Sequence, residues 1–242
     1  MEKKSVMKKI TGSREALLAI VLIVLFVTIT AITPSFLTPK SLMDMLKNNA
    51  VTMVMSLGML CVMLVGGIDI SVGAIVCLSA TMSCIVCNTN APFIVVVITA
   101  LGVGAICGAI NGFILTKFQE LPPMIVTLAT QIIFRGISEI VLGSGGSISA
   151  SNTDDFRAIG GKVGDVPYIL FLVVILSVIF AVILGKSTFG RRVYAIGTNC
   201  LTAYYSGVHV QKIRFIIYTI MGTVSGLCAL FLVSSAYGDN KR

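Results

Sequence analysis

The chain has 242 residues, 56% of them hydrophobic and only 12% charged, with a net charge of +8. Several apolar runs approach or exceed eighteen residues with almost no charge, which excludes a soluble domain with a large core and points to transmembrane helices. The runs do not alternate polar with apolar residues, so a membrane β-barrel is excluded as well.

The excess of positive charge does not indicate nucleic acid. Most Lys and Arg fall in two clusters beside apolar runs, as the positive-inside rule expects. There are seven Cys and one His. Six of the Cys lie inside apolar runs. Cys84 and Cys87 have CxxC spacing, but metal or redox chemistry needs exposed thiolates and partners. No metal site is expected. The fold class is all-α: a polytopic α-helical membrane protein with about seven spans, forming one domain over 1–242.

Residues 1–15 are a basic tail with Lys3, Lys4, Lys8, Lys9 and Arg14, assigned to the cytoplasm. Span 1 is Ala16–Thr33, an uncleaved signal-anchor. Met45–Val65 is span 2 and Ile70–Cys87 is span 3. Between them lies Gly66-Gly67-Ile68-Asp69-Ile70-Ser71-Val72-Gly73, a double glycine, a carboxylate and a hydroxyl where the chain should be most uniformly apolar. One continuous helix would be about 60 Å long, twice the hydrocarbon thickness. The stretch is therefore a tight hairpin of about four residues, either reaching the inner surface or stopping short as a re-entrant break.

Phe93–Leu115 is span 4. Gly104, Gly108 and Gly112 stand at four-residue spacing and form a helix-packing face. Leu121-Pro-Pro opens span 5, which runs to about Leu142, since prolines suit a helix start. Gly143–Asp165 is a polar outer loop. Val166–Leu184 is span 6, Lys186–Arg214 a second basic cytoplasmic segment, and Phe215–Ser234 span 7, with a second packing pair at Gly222 and Gly226.

Four features bear on chemistry. Gly185-Lys186-Ser187-Thr188 has the ending of a phosphate-binding loop, but Phe180 stands where the first glycine belongs and a span precedes it. The chain is thus expected to bind no ATP itself. Arg135 and Glu139 are four apart on span 5 and can pair. They are either a structural pair near the rim or part of a pathway. Asp69, a charge costing roughly 2.5–3.5 kcal/mol near hydrocarbon, either caps span 3 at its positive end or contributes to a polar pathway. Finally, Asn199 is a good N-cap and Gly207 a good C′ residue for a two-turn helix carrying Leu201, Tyr204 and Tyr205. That helix suits a partner's groove or the membrane interface equally.

These residues resemble a known family. Gly66–Gly73 is similar to the GGIDLSVG signature of ribose-type ABC transporter permeases, the membrane subunits of monosaccharide importers. Leu121–Thr130 resembles their LPPFIVTLGT segment, and Arg135-Gly136 the RG that follows. Phe189–Gly197 resembles the FGRRVYAIGGN run entering their cytoplasmic coupling loop, and Ser206-Gly207-Val208 the SGI that closes it. The resemblance implies the permease subunit of a bacterial importer for ribose or a similar simple sugar, multi-pass in the inner membrane with the N-terminus cytoplasmic, and not an enzyme.

It implies as partners a cytoplasmic ATP-binding subunit that carries the ATP, an extracytoplasmic sugar-binding protein, a second permease subunit and membrane lipid, with no nucleic acid. Translocation residues would be Gly66, Gly67, Asp69, Ser71, Gly73, Thr127 and Arg135. ATPase coupling would fall on Gly197, Asn199, Ala203, Ser206 and Gly207, within the coupling loop 186–214. Two departures stand out. Leu201 falls where the family's loop carries an acidic residue, and Thr202 where it carries an alanine. The family also continues beyond the equivalent of Phe215–Ser234, so the chain looks C-terminally shortened. The alternatives are an ion-coupled secondary transporter or channel, and a non-transporting truncated membrane protein.

Overall fold

The computed structural model describes residues 14–143, 146–150, 156, 159–163 and 166–238. The basic tail 1–13, most of the loop after Gly143 and the last four residues lie outside the described set. The elements in order are α1 (Arg14–Ile32), a 3₁₀ turn (Pro34–Leu37), α2 (Pro39–Leu64), α3 (Val72–Asn88), α4 (Phe93–Lys117) and α5 (Pro123–Leu142). Then follow a two-residue hairpin of β1 (Lys162–Val163) and β2 (Val166–Pro167), α6 (Tyr168–Lys186), α7 (Thr188–Thr198), α8 (Cys200–Tyr205) and α9 (Val210–Gly238).

Five of these helices are long and apolar enough to cross a membrane: α2, α4, α5, α6 and α9. Two shorter apolar helices, Ala16–Ile32 within α1 and Val72–Asn88, complete the seven runs read from sequence. The fold is a polytopic helical bundle, as composition requires.

The chain divides into two compact units, Met1–Asn48 and Asn49–Arg242. In the first, α1 exposes Leu17, Leu18, Leu22 and Val27 along an almost wholly apolar surface, and Phe26 meets Phe36 edge-on at 5.3 Å between ring centroids. In the second, α9 is the most buried of the long helices.

What centres α9 is glycine. A Cβ on Gly104 would run into the backbone of Gly222 and Gly226, one on Gly108 into Tyr218 and Gly222, and one on Gly112 into Phe215. As the α4 number rises the α9 number falls, so the two helices cross antiparallel with their backbones in contact. Both glycine faces read from sequence thus pack against each other. Small residues permit this approach, and dispersion over the whole seam stabilises it.

Hydrophobic clusters close the two ends. Val62, Val65, Leu115, Val193, Ile196 and Ile217 gather at the end carrying α7 and α8. Cys84, Cys87, Val96, Phe156 and Leu230 gather at the opposite end. Cys84 and Cys87 are buried there as thiols, in keeping with ordinary core residues.

The seam makes a contrast that can be measured. Gly222→Ala places a methyl against Gly104 and Gly108, whereas a Cβ on Gly102 meets nothing within 4 Å. Overpacking of this kind costs about 1–3 kcal/mol. Thermal unfolding in detergent should show a clear fall in Tm for Gly222→Ala and none for Gly102→Ala.

Candidate functional site

The α2–α3 break is longer than the four residues expected from sequence: helix stops at Leu64 and resumes at Val72. The reason is a complete C-terminal cap. Gly66 adopts φ +76, a left-handed conformation that glycine takes without penalty. Its N–H donates to Met63 O at 3.0 Å, and the Gly67 N–H donates to Val62 O at 3.0 Å. This is the Schellman pattern, which satisfies the orphan carbonyls of the last turn.

Residues 67–70 then run without regular structure to Ser71. Such backbone must find partners inside a bundle. Thr127 on α5 supplies them. Its hydroxyl oxygen accepts from Ile70 N–H at 3.2 Å. Its single proton has Pro123 O at 2.9 Å, and Met124 O and Ile68 O at 3.3 Å, within reach.

The restart of α3 lies inside the bundle. Ser71 Oγ accepts from Asn111 Nδ2 at 2.8 Å. α4 continues six residues past Asn111 to Lys117, about 9 Å at 1.5 Å per residue. The other side of the break, Gly66 and Gly67, shares a cleft with Gln119, Glu120 and Arg214.

Asp69 is almost wholly buried, 1% exposed. The N-cap position of α3 belongs to Ser71, whose own side chain makes no cap bond. Asp69 acts two residues earlier: its Oδ1 accepts from the Ser71 N–H at 2.9 Å and from the Ser71 Oγ–H at 2.6 Å. The chain Asn111–Ser71–Asp69 thus links α4 to the start of α3, whose positive end lies beside the carboxylate. Three polar atoms around it have no partner: Asp69 Oδ2, Asn111 Oδ1 and Tyr218 Oη. Tyr218 approaches from α9 and lies so close over Gly67 that a Cβ there would come to 2.5 Å from the hydroxyl. A cleft of about 240 Å³ reaches this place, walled by Gly66, Gly67, Tyr218, Arg214, Gln119 and Glu120.

Of the seven residues assigned to translocation, the fold brings together Gly66, Gly67, Asp69, Ser71 and Thr127. Gly73 is the second residue of α3, with open space around it. Arg135 sits apart on α5, where its Nε meets Glu139 Oε1 at 3.2 Å with both side chains about two-thirds exposed. Sequence reading missed Asn111 and Tyr218. A lone amide inside an apolar run was the available signal for Asn111; Tyr218 had none. Among the described residues no group of three His, Cys, Asp or Glu could hold a metal.

The residues expected from the resemblance to contact an ATPase form a second assembly. Ser187 caps α7, accepting from Gly190 N–H at 3.0 Å, so Gly185-Lys-Ser-Thr188 is a helix start and not a phosphate loop. The helix α7 itself was not read from sequence. Asn199 caps α8 as expected, its Oδ1 accepting from Thr202 N–H at 3.0 Å. Gly207, at φ +82, closes α8 with a second Schellman cap: its N–H donates to Tyr204 O and the Val208 N–H to Ala203 O, both at 3.0 Å. Ala203 is buried, and Ser206 Oγ bonds back to Thr202 O at 2.8 Å. Gly197 abuts the Leu64 carbonyl so closely that no side chain fits between. Leu201, Tyr204 and Tyr205 face outward, Tyr205 82% exposed.

The Thr127 clip can be tested by substitution. Thr127→Val keeps the shape and strands the Ile70 N–H, costing about 1–3 kcal/mol. Thr127→Ser retains the oxygen. Tm in detergent should fall for the valine variant and stay within a degree or two of wild type for the serine variant.

Comparison with known proteins bears on both assemblies. Residues 41–239 match the family described as branched-chain amino acid transport system / permease component. The chain is 35% identical over 215 residues to the ribose import permease protein RbsC of Bacillus subtilis, covering 88% of this chain and 66% of that protein. It is 32% identical over 222 residues to RbsC of Haemophilus influenzae, covering 89% and 67%. It is also 32% identical over 196 residues to the D-allose transport system permease protein AlsC of Escherichia coli, covering 81% and 60%. The chain therefore spans about two thirds or less of the length of these relatives. No solved structure matches. A multi-pass helical bundle whose matched region runs from α2 to α9 belongs to this permease family, alongside the ribose-type ABC transporter permeases that its motifs resemble.

Proposed function

We propose that the chain is the permease subunit of an ATP-binding-cassette importer for a monosaccharide, ribose or a similar simple sugar. It would form part of the translocation pathway and take its energy from a separate ATPase. The similarity to ribose and allose permeases over most of this chain carries the reading. The reading gives the chain no catalytic step of its own. It adds a second permease subunit in the membrane and a sugar-binding protein delivering to the outer face. The N-terminus and 186–214 would then face the cytoplasm, as the two basic clusters favour.

On this reading α8 is the ATPase contact. It is short, capped at both ends, and presents Leu201, Tyr204 and Tyr205 outward, an arrangement suited to insertion in a groove. Docking works by population shift: ATP binding favours one packing of the bundle, and loaded binding protein prefers the same one. The polar break would supply the hydrogen-bonding groups a sugar hydroxyl needs along an otherwise apolar route, and the exposed Arg135–Glu139 pair would stand apart from it.

The test is uptake by the assembled transporter in proteoliposomes. Gly207→Val forces a β-branched residue into φ +82, a strain of roughly 1–2 kcal/mol that lowers productive docking about tenfold. Membrane insertion should be unchanged while ATP-driven ribose uptake falls by that factor. Uptake that survives ATP depletion and follows an ion gradient would sink the reading.

A further inference from the structure

We propose that Asp69 Oδ2, Asn111 Oδ1 and Tyr218 Oη form a buried site for a small monovalent cation of sodium size. The three oxygens come from the helix break, α4 and α9. Each belongs to a side chain no more than 1% exposed, and each lacks a partner. They share one neighbourhood. Asp69 and Asn111 both bond the Ser71 hydroxyl, at 2.6 and 2.8 Å, and Tyr218 Oη lies over Gly67, two residues before Asp69.

The hydrogen-bond accounting asks for a donor or a cation. Asp69 Oδ1 is already satisfied by two donors from Ser71. The Asn111 amide nitrogen donates to Ser71 Oγ, which leaves its carbonyl oxygen turned to the unpaired side. With Asp69 ionised, its Oδ2 and Asn111 Oδ1 are both acceptors and cannot satisfy each other. Tyr218 has one proton and can serve at most one of them. Among the described residues no ion pair involves Asp69; the pair on α5 is Arg135 with Glu139. An ionised Asp69 is thus buried with an open oxygen and, among the described residues, no salt-bridge partner, a costly arrangement unless a positive species sits beside it.

The donor set specifies which species. All three atoms are hard oxygens, with no sulfur or imidazole, which disfavours a transition metal. A single carboxylate balances one positive charge, and a divalent ion would leave an uncompensated charge in a low-dielectric interior. Three protein oxygens leave remaining positions for water. A cleft walled by Gly66, Gly67 and Tyr218 opens beside this group. This inference does not rest on the importer reading and stands or falls on cation binding alone.

The experiment is thermal unfolding of the purified full chain in detergent at pH 7.5. Sodium chloride replaces N-methyl-D-glucamine chloride at constant ionic strength, with lithium and potassium chloride run in parallel. Ligand binding to the folded state should give a saturable rise in Tm with sodium or lithium. Tyr218→Phe should raise the half-saturating concentration roughly tenfold, the scale of losing one polar ligand. Asp69→Asn should melt independently of the cation, and no lower than wild type in N-methyl-D-glucamine. Identical Tm in all four salts would overturn the proposal. So would a Tm that responds only to pH between 5.5 and 8, which assigns a proton to Asp69. If Asp69→Asn does not fold, the tyrosine variant decides: an unchanged half-saturation counts against the site.

Discussion

A helix that must stop inside a membrane protein leaves backbone groups with no water to bond them. That constraint organises this fold. The apolar run from Met45 to Cys87 is too long to be one helix, so it breaks, and α3 restarts beside Asn111, about 9 Å short of the end of α4. Every feature nearby answers the question of where the freed groups find partners. Gly66 turns the last carbonyls of α2 back onto Gly66 and Gly67. Thr127 bonds Ile70. Asp69 takes the Ser71 N–H at the start of α3. A β-branched residue at position 66 would face the left-handed penalty, and an alanine at 67 would press on Tyr218.

The glycine seam between α4 and α9 is what lets those partners arrive. Gly108 lies against the Tyr218 backbone and Gly112 against Phe215. Asn111 stands beside Gly112 on α4. With larger residues the two helices would separate by the width of a side chain, and Tyr218 would no longer lie over Gly67. Packing and polar site are therefore one structure. The dispersion gained along the seam holds buried oxygens close to a buried carboxylate, an arrangement that their electrostatics alone would not favour.

Much of this was legible in the sequence, and for identifiable reasons. Apolar run length gave the spans, and the boundaries agree to within two residues except at α2, which starts at Pro39, six residues before Met45, and at α9, which starts at Val210, five before Phe215, and runs to Gly238, four past Ser234. Glycines at four-residue spacing gave both faces of the seam. Asn199 and Gly207 gave the limits of α8, because cap chemistry is local. The misses have a common cause. α7 carries Arg191 and Arg192 among apolar residues, so it read as a basic loop when it is an amphipathic helix packing Val193 and Ile196 inward. Asn111 and Tyr218 matter only through residues 40 or more positions away. No periodicity reports such pairings. Arg135 was grouped with the polar break through the motif resemblance, yet α5 turns it away from Thr127 and toward Glu139.

The two Schellman caps, at Gly66 and Gly207, end helices that belong to the same end of the bundle. Between them stands a single tight contact, Gly197 near the end of α7 against the carbonyl of Leu64, the last residue of α2. The α7–α8 pair therefore leans on the helix that leads into the break, with no flexible side chain between to absorb a displacement. Under the proposed reading, a partner bound to α8 acts on α7 through their shared residue Asn199, and α7 acts on α2 backbone to backbone. The next residues along the chain are Val65 and Gly66, where a left-handed glycine sets the direction of the break. A push transmitted there meets a cap held by two hydrogen bonds and a tyrosine resting on Gly67. Both are discrete arrangements, either made or broken, and an element of that kind is what a two-state packing change requires. Coupling through this corner would thus reach Asp69 and Thr127 by backbone contact, without a relay of charged side chains across the bundle.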